Sequence, residues 1–104
     1  MNFERHRATH HRFVAVIDLT DIQSEKHLAA LTNDLSLFGC SVETVNPFST
    51  GTKVRLRIWH TGVNFYAGGK VAYSQPKTGM GITFTAVEPR NLPILDTWLA
   101  HSRN

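Results

Sequence analysis

From Phe13 to Val87 the apolar residues fall repeatedly at every second position, and the run is broken again and again by turn-forming residues. A period of two sends alternate side chains to opposite faces of a strand, and each strand so patterned must bury one face against its neighbours. The clearest case is Lys53 to Trp59, where Val54, Leu56 and Ile58 share one face and Lys53, Arg55 and Arg57 the other. Similar alternation marks residues 13 to 19, Cys40 to Val45, Val63 to Tyr73 and Met80 to Val87. Leu28 to Leu31, within His27 to Thr32, fits a strand or a single helical turn, and we take it as a strand. In the long fifth segment Val63, Phe65, Ala67, Gly69, Val71 and Tyr73 are expected on the buried side, with a bulge or bend at Gly68-Gly69. After Pro89 the period changes. Leu92, Leu95, Trp98 and Leu99 lie at helical spacing behind Asn91, a candidate N-cap, so a helix is predicted from Leu92 to His101 with Trp98 as its anchor. Short strands with hairpin-length connections predict a mainly β fold, a six-stranded antiparallel barrel whose open end or face is covered by the C-terminal α-helix.

The 104 residues suit one domain, which buries roughly two-thirds of its unfolded surface without staples. The expected organisation is a leader over 1–12, a barrel over 13–88 and the helical segment over 89–104, with no room for a second domain. Cys40 is the only cysteine, which excludes an intrachain disulfide and a cysteine-rich zinc site. No apolar run approaches the ~20 residues that cross a bilayer, and the N-terminus lacks the apolar stretch of a signal peptide. The expectation is a cytoplasmic chain without membrane insertion.

The formal charge is +3, and residues 1–12 supply +2 of it, because Arg5, Arg7 and Arg12 stand against Glu4 alone. This head reads as a basic leader suited to an anionic ligand. His6, His10 and His11 have no carboxylate arranged beside them for a metal, and none is expected. Catalysis is not expected either: Ser36 has no recognisable histidine and acid, and Cys40 falls in an apolar strand. A basic barrel carrying Trp59, Phe65, Tyr66 and Tyr73 could stack single-stranded nucleic acid. The near balance of charge outside the leader, and the expected burial of Phe65 and Tyr73, make nucleic acid the weaker alternative.

Asp34-Leu35-Ser36-Leu37-Phe38-Gly39 reproduces the D/NxSxxG element of the PilZ family, placed between two strands and behind an arginine-bearing leader. Gly51 to Leu56 resembles the family's Gly-x-x-Val-x-Leu strand, and Gly79-Met80-Gly81-Ile82-Thr83-Phe84 its late glycine-rich strand. With the terminal helix, the chain resembles a PilZ domain over nearly its whole length. One element departs from the pattern: the family's RxxxR would place an arginine at Ala8, four before Arg12, whereas the nearest is Arg7.

The resemblance implies a six-stranded barrel that binds the bacterial second messenger cyclic di-GMP and changes motility, polysaccharide output or pilus function, without catalysis. The ligand-binding residues it implies are Arg5, Arg7, Arg12, Asp34, Ser36 and Gly39. The chemistry suits the ligand, which offers two phosphodiesters and two guanines. Arginine forks bond guanine O6/N7 or phosphate and stack on purines, and Asp34 suits the N1-H/N2-H edge. Ser36 offers a short hydroxyl, and Gly39 either a positive φ or a close backbone approach. Leu35 and Leu37 are expected to turn inward. An unidentified protein is the implied target. The alternative is a divergent domain that does not bind cyclic di-GMP and serves as a protein-interaction module.

Overall fold

A computed structural model describes residues 9–102. Its elements are β1 (His11–Arg12), β2 (Val16–Asp21), β3 (His27–Leu35), β4 (Gly39–Glu43), β5 (Lys53–His60), β6 (Val63–Gln75), β7 (Gly79–Ala86) and α1 (Leu92–Ser102), the last preceded by a 3₁₀ turn at Pro89–Asn91. All pairings are antiparallel. The order β3-β2-β5-β6-β7-β4 returns to β3 through a β3–β4 ladder, which closes a six-stranded barrel. The segment His27–Leu35 is a strand and not a helical turn.

The alternation does the work predicted for it except at the two ends of β6, where Val63 and Tyr73 are exposed. Ile17, Leu19, Val54, Leu56, Ile58, Phe65, Val71, Met80 and Ile82 are all buried inside the barrel, together with Leu35 and Val42. On the wet side of β5, Arg57 pairs with Asp18 and Arg55 with Glu25. Helix α1 sets Trp98 into the barrel, its ring 5.2 Å from Phe13, 5.6 Å from His60 and 6.1 Å from Phe65, centroid to centroid. Aromatic clusters of this geometry add roughly 0.5–1.5 kcal/mol per pair beyond the area they bury.

Four local expectations are corrected. Hydrogen-bonded pairing of the first long strand begins at Val16 and not at residue 13, although Phe13 and Ala15 keep the alternation and are buried. Tyr73 is 53% exposed, because a register shift between Val71 and Tyr73 turns the end of β6 outward. The shift at Gly68/Gly69 is present as expected. Asn91 does not cap α1. It is buried in the 3₁₀ turn, where its Oδ1 accepts the Tyr66 N–H at 3.1 Å and ties the helix entry to β6. Leu92 lies at the helix start and is exposed, so the anchoring face is Leu95, Trp98 and Leu99.

The gap between β1 and β2 is bridged by one side chain. Thr32, fully buried on β3, accepts the Ala15 N–H on its Oγ1 at 2.9 Å and donates to the Phe13 carbonyl. Its own N–H goes to the Ala15 carbonyl at 2.9 Å, and the Phe13 N–H to the Asn33 carbonyl at 3.0 Å. The hydroxyl thus replaces a missing rung and keeps the chain on the β3 edge as far back as His11. Thr32→Val keeps the shape and strands a buried donor and acceptor, so it is expected to cost about 1–3 kcal/mol. Thermal unfolding should show a fall of roughly 4–8 °C per kcal/mol, with Thr32→Ser losing less than Thr32→Val.

Candidate functional site

The β1–β3 ladder sets His11 opposite Leu35 and Arg12 opposite Asp34. Leu35 is buried, so the adjacent rung of Arg12 and Asp34 lies on the outer face. Arg12 is exposed, and Asp34 is partly exposed. The backbone therefore joins the end of the leader to the first residue of the Asp34–Gly39 element. Two of the six expected site residues, Arg5 and Arg7, lie outside the described residues.

The rest of the element is a tight turn. The Ser36 N–H donates to the Gly39 carbonyl at 2.9 Å, and the Ser36 Oγ accepts the Phe38 N–H at 3.1 Å. Ser36 is buried, with its hydroxyl committed within the turn. The Phe38 carbonyl in turn accepts the Phe84 N–H at 2.7 Å, which fastens the tip of the turn to β7. Gly39 serves through close approach: a Cβ there would stand 2.0 Å from the Ile82 carbonyl oxygen. Asp34 and Leu35 belong to β3 itself, so the turn proper spans Ser36 to Phe38. Leu37 does not turn inward. It sits at the tip and is 49% exposed, while Leu35 is fully buried.

Beside the turn is an open cleft of about 210 Å³, lined among others by His10, Phe38, Gly39, Ser41, Tyr73 and Thr83. Small-molecule pockets usually enclose roughly 300–1,000 Å³, so this cleft is smaller and more open than an enclosed ligand pocket. His10 was read from the sequence only as part of a basic head, yet its Nδ1 donates to Asp34 Oδ1 at 2.8 Å. Only the β1–β3 register reveals that contact. Phe38 and Tyr73 were likewise missed, the first as an ordinary turn residue and the second as a core residue. Arg12 faces a different depression, of about 580 Å³, shared with Phe13, His60, Trp98 and His101. Among the described residues no three His, Cys, Asp or Glu converge on a possible metal position.

Cys40 follows Gly39 on β4 and is buried. Burial, followed by the nearby Asp34 charge, pushes its thiol from an ordinary 9.0 up to about 12. A raised pKa means that the folded chain holds this proton after the unfolded chain has released it. The associated stability is complete below pH 9 and is lost as the pH rises towards 12. Denaturant melts of the native chain should therefore weaken over that range more steeply than those of Cys40→Ala, and iodoacetamide should modify the native thiol only slowly at pH 8.

A PilZ domain family model matches residues 6–101. In structure the chain is similar to the Bacillus subtilis inhibitor of motility (MotI/DgrA), with a TM-score of 0.76 and 15% identity over 93% of this chain and 50% of that one. The chain thus spans half the length of that protein. It is also similar to the PilZ domain of CeSA from a cellulose-synthesizing bacterium, with a TM-score of 0.71 and 14% identity over 90% of this chain and 98% of that domain. At these identities the likeness is one of fold. No curated protein matches the chain by sequence. Among the described residues no helix is long and apolar enough to cross a membrane. The fold, the order of the elements and a match over almost the entire sequence show that the chain belongs to the PilZ domain family, a cyclic di-GMP receptor family of binding domains.

Proposed function

We propose that the chain is a cyclic di-GMP-binding adaptor of the bacterial cytoplasm, without catalytic activity, that acts on motility, biofilm or pilus function through a protein target. The observation that carries this reading is the rung between Arg12 and Asp34. It brings the arginine that ends the leader beside the carboxylate that opens the DxSxxG element. In this reading Arg12 and Arg7 bond phosphate or guanine O6/N7, and Arg5 assists. Asp34 accepts from a guanine N1-H/N2-H edge in place of His10, while Ser36 and Gly39 hold the rim in shape. Each charge-assisted hydrogen bond of this kind contributes roughly 1.5–3 kcal/mol. A ligand spanning leader and turn would join them into one composite face, which supplies the signal to a partner.

A second reading, a divergent domain that docks protein constitutively, is favoured by two observations. Arg7 is one residue further from Arg12 than RxxxR requires. In addition, Leu31, Val16 and Trp59 are exposed and lie in register across β3, β2 and β5, a row of apolar side chains of the sort that marks interaction surfaces. A nucleic-acid-binding barrel is supported less well, since Arg55 and Arg57 are already paired with carboxylates.

Calorimetric titration with cyclic di-GMP separates the first two. Saturable binding that weakens ten-fold or more in Arg12→Ala and in Asp34→Ala, and not in Arg55→Ala, is the expected result; ten-fold corresponds to about 1.4 kcal/mol. Absence of heat at tens of micromolar ligand would leave the constitutive reading in its place.

A further inference from the structure

Between β1 and β2 the chain stays on β3 while its other edge loses its neighbour. Strand β5 accompanies β2 only as far as the Val16–Trp59 pair. It then turns back into β6 through Thr61 and Gly62, both at positive φ, 48° and 81°, the tight hairpin that strand twist favours. Residues 12–15 therefore run on past the end of β5. Phe13 and Ala15 spend their N–H and carbonyl groups on Thr32 and Asn33 of β3. Successive residues of an extended chain address opposite edges, so Val14, between them, directs its own N–H and carbonyl away from β3. Among the described residues neither group has a backbone partner. An edge left in this state is a template for another strand.

The edge borders the depression of about 580 Å³ that Arg12 faces. The rings of Phe13, His60 and Trp98 pack together beneath it, and Val14 and Val63 are exposed at its rim. Helix α1 supplies the opposite wall through Thr97 and His101, which are joined by the His101 Nδ1–H donating to the Thr97 carbonyl at 2.9 Å. Arg12, His60 and His101 line the depression, and among the described residues no Asp or Glu does. We propose that this edge docks a short extended acidic segment of a partner protein, which adds as a strand beside Val14 and lays a carboxylate between Arg12 and His101. In strand addition the main-chain hydrogen bonds give affinity, and alternate side chains entering a pocket give selection. Here an apolar side chain meets the Phe13–His60–Trp98 cluster and an acidic one meets the cations, whereas a basic segment is repelled by Arg12. The inference gives a chemistry to the protein target that both functional readings require; it rests on that shared requirement and not on cyclic di-GMP binding.

The test titrates three capped hexapeptides of alternating valine and polar residues, the polar ones being glutamate, lysine or serine, into the isotope-labelled chain and follows its amide signals by NMR. The glutamate peptide is expected to saturate at low-millimolar concentration or below, shifting the amides of residues 12–14, 60–63 and 97–101, and the lysine peptide to shift none. Arg12→Gln should weaken the glutamate peptide about ten-fold, and N-methylation along one edge of the peptide should abolish its binding. Val14→Pro removes the N–H at the edge and touches no bond to β3, so this variant should melt close to native and lose the peptide. A Val14→Pro chain that binds as tightly as native would overturn the site, as would shifts centred on the Leu31, Val16 and Trp59 row. Equal binding of all three peptides would overturn its preference for acid, and binding of none would overturn the docking site itself. Each of these results leaves the cyclic di-GMP reading standing, because that reading is decided by the dinucleotide titration alone.

Discussion

Closure of the barrel depends on β3, which must pair with β2 along one edge and β4 along the other. An open sheet of these strands would expose two unpaired edges and half of its apolar face. The closing strand cannot run straight through both ladders: its register against β4 shifts between Thr32 and Asp34, where the opposite edge passes from β2 to β1. At that junction the Thr32 hydroxyl supplies the hydrogen bonds that the backbone cannot. The far side of the closure is tight as well, because Gly39 lets β4 approach the Ile82 carbonyl of β7.

The candidate site follows from this closure. Strand β3 ends in the Asp34–Gly39 element, and the edge to which Thr32 fastens the chain receives His11 and Arg12. The same few residues that close the barrel thus pair the Arg12 backbone with that of Asp34, whose carboxylate reaches the cleft through His10, while the Arg12 side chain faces the depression beside Trp98. Ser36 and Gly39 illustrate the economy of the arrangement. Both belong to the family's binding element, and in this chain both have structural duties that shape the rim. The site is for that reason sensitive to folding defects, and a variant there is informative only beside a measurement of its stability.

Much of this was legible in the sequence wherever one physical rule governed a segment. The strand from Lys53 has one wet and one dry face, and its alternation alone placed Val54, Leu56 and Ile58 inside and Lys53, Arg55 and Arg57 outside. The change of period after Pro89 located the helix and its Trp98 anchor for the same reason. What escaped was set by tertiary register. Tyr73 alternates with Val71 on paper, but a bulge, invisible to counting, reverses its face. Asn91 has the chemistry of a cap and instead satisfies a strand N–H that lies 25 residues away in sequence. His10 reads as one basic residue among several, and only the β1–β3 pairing carries it to Asp34. The DxSxxG string announced the family without indicating which of its residues face the solvent; Leu35 and Leu37 look equivalent there, and one is core while the other is the exposed tip.

The central claim is that the rung between β1 and β3 is where ligand is felt, and amide hydrogen exchange resolved by residue tests it most directly. On saturation with cyclic di-GMP, exchange at His11, Arg12 and Asp34 through Gly39 should slow together, while β5 and the outer turns of α1 remain unchanged. Protection confined to the Lys53–His60 strand, or an unchanged β1 and Asp34 turn in a chain that demonstrably binds the dinucleotide, would contradict the account.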